Sequence, residues 1–173
     1  MSAPVHVVVM GVSATGKTTV GEALAVDLGY EFIEGDDYHP RANVEKMSKG
    51  VALTDEDRMP WLQALSALMA RRHALGTSTV LTCSALRRSY RDVLRASVPA
   101  GEVFFVHLHA PFDVLEKRMT QRTKHFMPTS LLVSQFQTLE PLEDDEAGVL
   151  VDVSASPAVV VRTTVEAVRA RHG

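Results

Sequence analysis

The sequence predicts an α/β fold in three layers, a parallel sheet of about five strands flanked by helices. Three observations predict it. Strand-like and helix-like patterns alternate from end to end, which calls for parallel strands with helices covering both faces of the sheet. The first run, Val5–Met10, is mostly β-branched and apolar and leads straight into Gly11, as a buried strand entering a tight turn does. The chain has 173 residues, 46% apolar and 23% charged, the size and make-up of one globular domain spanning 1–173.

After Val5–Met10, Thr18–Leu28 reads as a helix closed by Gly29, and Glu31–Ile33 as a weak second strand. Thr54 followed three residues later by Asp57 resembles a capping box opening a long helix. In it, Trp61 or Leu62, Leu65, Leu68 and Met69 repeat at three-to-four spacing, a core-facing stripe that ends at Gly76. Thr79–Cys83 and Val103–Leu108 read as strands and Arg87–Ala96 as the helix between them. Val114–Arg122 and Ser130–Leu139 read as helices, Val149–Val153 as the last strand, and Pro157–Arg171 as the last helix, with Val161, Val165 and Val168 on one face. Ligands of such a sheet bind at the carboxyl ends of its strands.

Composition excludes several classes. A net charge of −3 lacks the basic field of a general nucleic-acid binder. A single cysteine, Cys83, forbids an internal disulfide and suits a reducing, cytoplasmic setting. No secretory signal opens the chain, and runs such as Val7–Met10 and Ala158–Val161 are far too short to cross a membrane.

Gly11-Val12-Ser13-Ala14-Thr15-Gly16-Lys17-Thr18 matches the phosphate-loop pattern in full, with a strand before it and a helix after it. The glycines let the backbone wrap phosphates, and the loop amides and helix N-terminus supply positive partial charge. Lys17 brings a full charge to the β- and γ-phosphates, and the Thr18 hydroxyl is the expected protein ligand of nucleotide-bound Mg²⁺. ATP contacts are expected at Gly11 through Thr18 and at Thr19. The alternative is an ordinary glycine-containing turn.

The type of nucleotide protein narrows by what is missing. There is no guanine-reading N-K-x-D segment, and neither Thr79–Cys83 nor Val103–Leu108 ends in the aspartate of a motor ATPase. Asp36 and Asp37 follow the second strand, across from the phosphate loop, where an acceptor hydroxyl would sit in a small kinase. Arg118 and Arg122 share a helical face ahead of a short loop, as in the lid of nucleotide-monophosphate-type kinases. Together these features predict a P-loop kinase fold with a mobile lid over about 118–135. A solvated basic face is the plainer reading of the arginine pair.

Several blocks then occur together and in order: Met10–Thr18, Gly35-Asp36-Asp37-Tyr38-His39-Pro40, Asn43-Val44-Glu45-Lys46-Met47, and Leu53 through Arg58 with Pro60-Trp61-Leu62. Cys83 through Asp92, His125-Phe126, Leu131-Leu132 and Ser134-Gln135-Phe136 through Glu140 complete the set. The chain resembles the bacterial-type gluconate kinases, P-loop small-molecule kinases with a fainter structural likeness to shikimate kinases. It departs from the family pattern at Ala14-Thr15, where Gly-Ser is frequent. The resemblance implies phosphorylation of D-gluconate on its terminal hydroxyl at the expense of ATP, and a homodimer. Rivals are a shikimate kinase, another small P-loop kinase, or a nucleotide-binding regulator without catalysis.

Each candidate residue has a role and a plainer alternative. Asp36 orients the acceptor hydroxyl and takes its proton, or caps a turn before Pro40. His39 hydrogen-bonds sugar hydroxyls, or packs its loop. Arg58 holds a carboxylate, or pairs with Asp55 or Glu56. Ser84 ends a strand, the usual place for a ligand contact. Arg87 and Arg91 bind a carboxylate or phosphate, or are surface charge. His125 and Gln135 close over substrate from the lid. Arg122 acts on the transferring phosphoryl group and Arg118 nearer the adenine or the α/β-phosphates, an order carried over from the lid resemblance.

Overall fold

A computed structural model describes residues 3–121 and 128–172. Within these residues five strands form one parallel sheet: β1 His6–Met10, β2 Glu31–Glu34, β3 Thr79–Thr82, β4 Val103–His109 and β5 Gly148–Asp152. Their order is β2-β3-β1-β4-β5. β1 lies between β3 and β4, with Val8 level with Leu81 on one side and Phe105 on the other. Every residue of β1 is buried, as a central parallel strand covered on both faces must be.

Among the described residues seven helices accompany the sheet: α1 Lys17–Leu28, α2 Arg41–Ser48, α3 Asp55–Ala74, α4 Arg88–Arg95, α5 Phe112–Thr120, α6 Thr129–Thr138 and α7 Pro157–His172. The reciprocal cap at α3 is present, with Asp57 N donating to Thr54 Oγ1 at 3.1 Å and Thr54 N to Asp57 Oδ2 at 2.9 Å. Trp61, Leu62, Leu65, Leu68 and Met69 of α3 are buried, each worth about 1.5–3 kcal/mol in area removed from water. α7 buries Val160, Thr164, Val165 and Val168, while Val161 packs only partly against the core.

Two helices depart from expectation. α2 went unpredicted because it carries no apolar stripe: Asn43 is its one buried residue. α5 starts at Phe112, because Pro111 sets the backbone for the first turn. Between β2 and α2, Gly35–Tyr38 forms a single 3₁₀ turn. A Cβ at Gly35 would sit 1.8 Å from the Thr82 carbonyl oxygen, so only glycine lets this turn press against β3.

Candidate active site

The phosphate loop runs from the end of β1 into α1. Gly11 has φ +144°, and a Cβ there would lie 2.6 Å from the Leu108 carbonyl oxygen. Gly16 caps α1 in the left-handed region at φ 87°. Ala14 is also left-handed, at φ 69°, a conformation costing a non-glycine residue about 1–2 kcal/mol. Lys17 Nζ donates to the Gly11 and Val12 carbonyls at 3.1 and 3.0 Å, so the charge is folded over its own loop.

A cleft of about 390 Å³ opens at the carboxyl ends of the strands, with Lys17, Asp36, His39, Arg58, Ser84 and Gln135 on its walls. Asp36 sits on the 3₁₀ turn. Its side chain reaches solvent, but protein surrounds it on the concave wall. That desolvation raises its carboxyl above the usual range; Lys17 opposes the shift, and Glu34 and Asp37 reinforce it. Trp61 Nε1 donates to the Gly35 carbonyl at 2.7 Å, pinning the turn from beneath. The His39 ring stacks on Trp61 at 3.9 Å and 18°, so this tryptophan is both core and platform. Burial, and then the charge of Arg58, lower His39 to about 4, which keeps it neutral at ordinary pH.

Arg58 is only 8% exposed. Its Nη1 donates to the Tyr90 hydroxyl at 3.0 Å, and Tyr90 donates onward to Asp55. Gln135, on α6, accepts at Oε1 from Ser13 N at 2.7 Å, tying that helix directly to the phosphate loop. A second cavity, of about 260 Å³, lies on the other side of the loop, between Thr15, Gly16, Thr19, Arg118, Val153 and Ala155. There Arg118 Nη2 donates to the Val153 carbonyl at 2.6 Å.

Two candidate residues lie away from the cleft lining. Arg91 is fully buried away from the cleft lining, and four of its five N–H donors are spent on Glu146 and on the Ala85 and Pro141 carbonyls. Arg87 stands at the start of α4 and pairs with Asp55 at 3.3 Å, outside the cleft. Arg122 and His125 lie outside the described residues. Glu34, the last of β2, escaped the sequence reading; it accepts from Thr18 Oγ1 at 2.5 Å and from Thr82 Oγ1 at 2.6 Å. An acid on the final strand residue, one step before the Gly-Asp-Asp turn, is the signal that could have found it.

A family model described as an AAA domain matches residues 7–142. The gluconokinase of Gluconobacter oxydans is 50% identical over 158 residues, covering 91% of this chain and 88% of that protein. A crystal structure of a gluconokinase from Sinorhizobium meliloti is 48% identical, with a TM-score of 0.87 over 99% of this chain and 96% of that one. The shikimate kinase of Aquifex aeolicus, 16% identical with a TM-score of 0.67 over 96% of this chain and 98% of that one, shares the fold.

Proposed function

The chain belongs to the gluconokinase family of P-loop kinases, and on that premise we propose that it transfers the γ-phosphoryl group of ATP to the 6-hydroxyl of D-gluconate, giving 6-phospho-D-gluconate and ADP. The observation that carries this reading is the meeting, in one cleft, of the phosphate-loop lysine, a carboxylate with a raised pKa and a buried arginine.

Asp36 takes the proton of the 6-hydroxyl as that oxygen bonds to the γ-phosphorus and the bond to the β–γ bridging oxygen breaks. A base whose pKa is raised toward the working pH is better matched to this transfer than an ordinary aspartate. Lys17 neutralises charge on the phosphates. Arg118 and the cavity beside it take the adenine, and Arg122 takes the transferring phosphoryl group. Arg58 receives the carboxylate of the sugar acid, while His39, Ser84, Gln135 and His125 contact its hydroxyls.

The donors beside the loop suit Mg²⁺. The Thr18 hydroxyl and Glu34 carboxylate are hard oxygens 2.5 Å apart, and a magnesium ion held with nucleotide phosphates needs few protein ligands. When bound, the ion would screen the charge of the β- and γ-phosphates. Among the described residues no helix is long and apolar enough to cross a membrane. A homodimer is proposed from the family resemblance, and a cytoplasmic setting from the single cysteine.

A coupled ADP-release assay over gluconate, other sugar acids, glucose and shikimate tests the reading, with phosphorus NMR locating the ester. Turnover of gluconate with the phosphate on C6 is expected. Preference for shikimate, or an ester at another carbon, would overturn it.

A further inference from the structure

We propose that Asn43 is a positioning residue that holds His39 as its Nε2–H tautomer, so that the cleft offers a neutral N–H donor to an oxygen of the sugar acid. The identity of the acceptor rests on the gluconate reading above; the tautomer does not.

The argument starts from a carbonyl. Asn43 is 3% exposed, and its Nδ2 lies 2.8 Å from the backbone oxygen of Asp57 and 3.2 Å from Nδ1 of His39. A backbone carbonyl only accepts, so the NH₂ end of the amide must face it. The second hydrogen of that NH₂ is then directed at His39 Nδ1. A proton on Nδ1 would set donor against donor, so Nδ1 carries the lone pair and the proton sits on Nε2.

The neighbours make the arrangement rigid. The Asp57 carbonyl belongs to the first turn of α3, whose reciprocal cap with Thr54 fixes the backbone, and Lys46 Nζ holds the Asp57 carboxylate at 2.7 Å. The stack on Trp61 fixes the plane of the imidazole. Burial and the nearby Arg58 disfavour the imidazolium, which could not accept from Asn43 in any case.

With Nδ1 occupied, Nε2 is the ring nitrogen available to a ligand in the cleft that His39 lines beside Asp36 and Arg58. An N–H donor there accepts no proton from substrate and adds no charge, yet it bonds either a hydroxyl oxygen or a carboxylate. The opposite tautomer would present a lone pair, which repels a carboxylate. Asn43 thus sets what the cleft recognises without touching the ligand.

Long-range proton–nitrogen NMR of the full-length, unliganded protein with labelled histidines reads the tautomer directly. His39 is assigned among the seven histidines as the signal lost in His39→Gln. Protonated Nε2 with bare Nδ1 is expected; protonated Nδ1, or an even mixture, overturns the proposal. In Asn43→Asp the carboxylate would accept from Nδ1, so the pattern should reverse and the KM for gluconate rise about 10-fold, the worth of one hydrogen bond, while the KM for ATP holds. If that variant does not fold, the wild-type spectrum still decides. His39→Gln places an amide near the Nε2 position and should keep most gluconate affinity, whereas His39→Asn places it near Nδ1 and should not. Equal losses in the two overturn the donor role. A failed gluconate reading would show separately, as a wild type that does not turn gluconate over.

Discussion

Arg58 and Arg91 are both buried, on neighbouring helices α3 and α4, and their surroundings differ in kind. Arg91 bonds both oxygens of Glu146, at 2.6 and 3.0 Å, and the carbonyls of Ala85 and Pro141 at 2.9 and 3.3 Å; Arg95 adds a bond to Glu146 at 2.9 Å. Four of its five N–H donors are spent inside the protein. Arg58, among the described residues, makes one side-chain hydrogen bond, to Tyr90, and lines the cleft. The carboxylates repeat the contrast. Burial alone would raise Glu146, but bonds from Arg91, the Glu143 backbone and Arg95 outweigh it and hold the group below its usual range. Among the described residues no such set of donors meets Asp36, and its carboxyl is raised. A buried charge that is saturated is structural, and one left short of partners on a cavity wall is available to a ligand.

The contrast is sharpest at the carboxylates. Asp36→Asn should lower kcat roughly 10²–10⁴-fold, the usual worth of a positioned general base. It should also raise the melting temperature at neutral pH. The sign follows from the raised pKa: between its ordinary value and the raised one, the folded state binds more protons than the unfolded, so stability falls as pH climbs through that window. Asparagine removes the penalty. A variant that keeps wild-type turnover would dissolve the distinction between the two regions.

The next effect is on stability alone. Arg91→Leu leaves the buried Glu146 with Arg95 and the Glu143 backbone N–H, and should cost about 3–5 kcal/mol by denaturant unfolding. The folded fraction should retain the wild-type KM for gluconate. A selective rise in that KM, with stability unchanged, would move Arg91 to the cleft side of the comparison. The smallest effect is at Arg87, whose pair with Asp55 is solvent-exposed. Arg87→Ala should change stability by no more than about 1 kcal/mol and leave kcat/KM alone.

What was legible in the sequence follows the same division. The five strands were readable within one or two residues at each end, because β-branched runs between helical patterns have few other solutions. The cleft was readable at Lys17, Asp36, His39, Ser84 and Gln135, since each belongs to a motif or follows a strand. Arg91 misled because spacing shows which residues share a helical face and not what that face meets. Its partner Glu146 is 55 residues away in an acidic loop that local pattern gives no reason to fold back. Asn43 was passed over for a similar reason: its partners are a backbone carbonyl on another helix and one ring nitrogen, neither of which has a sequence signature.

The central claim is that a partly unsatisfied arginine in this cleft reads the carboxylate of a sugar acid. Gluconate and sorbitol share the polyol chain and the terminal hydroxyl, and only gluconate can pair with a guanidinium through two parallel hydrogen bonds. The measurement is kcat/KM for gluconate, glucose and sorbitol in the wild type and in Arg58→Leu. The wild type should favour gluconate at least about 10³-fold, because a substrate without the carboxylate leaves the guanidinium desolvated and unpaired. Arg58→Leu should narrow that gap chiefly by losing activity on gluconate. Comparable wild-type values for glucose and gluconate, or an undiminished gap in Arg58→Leu, would contradict the account.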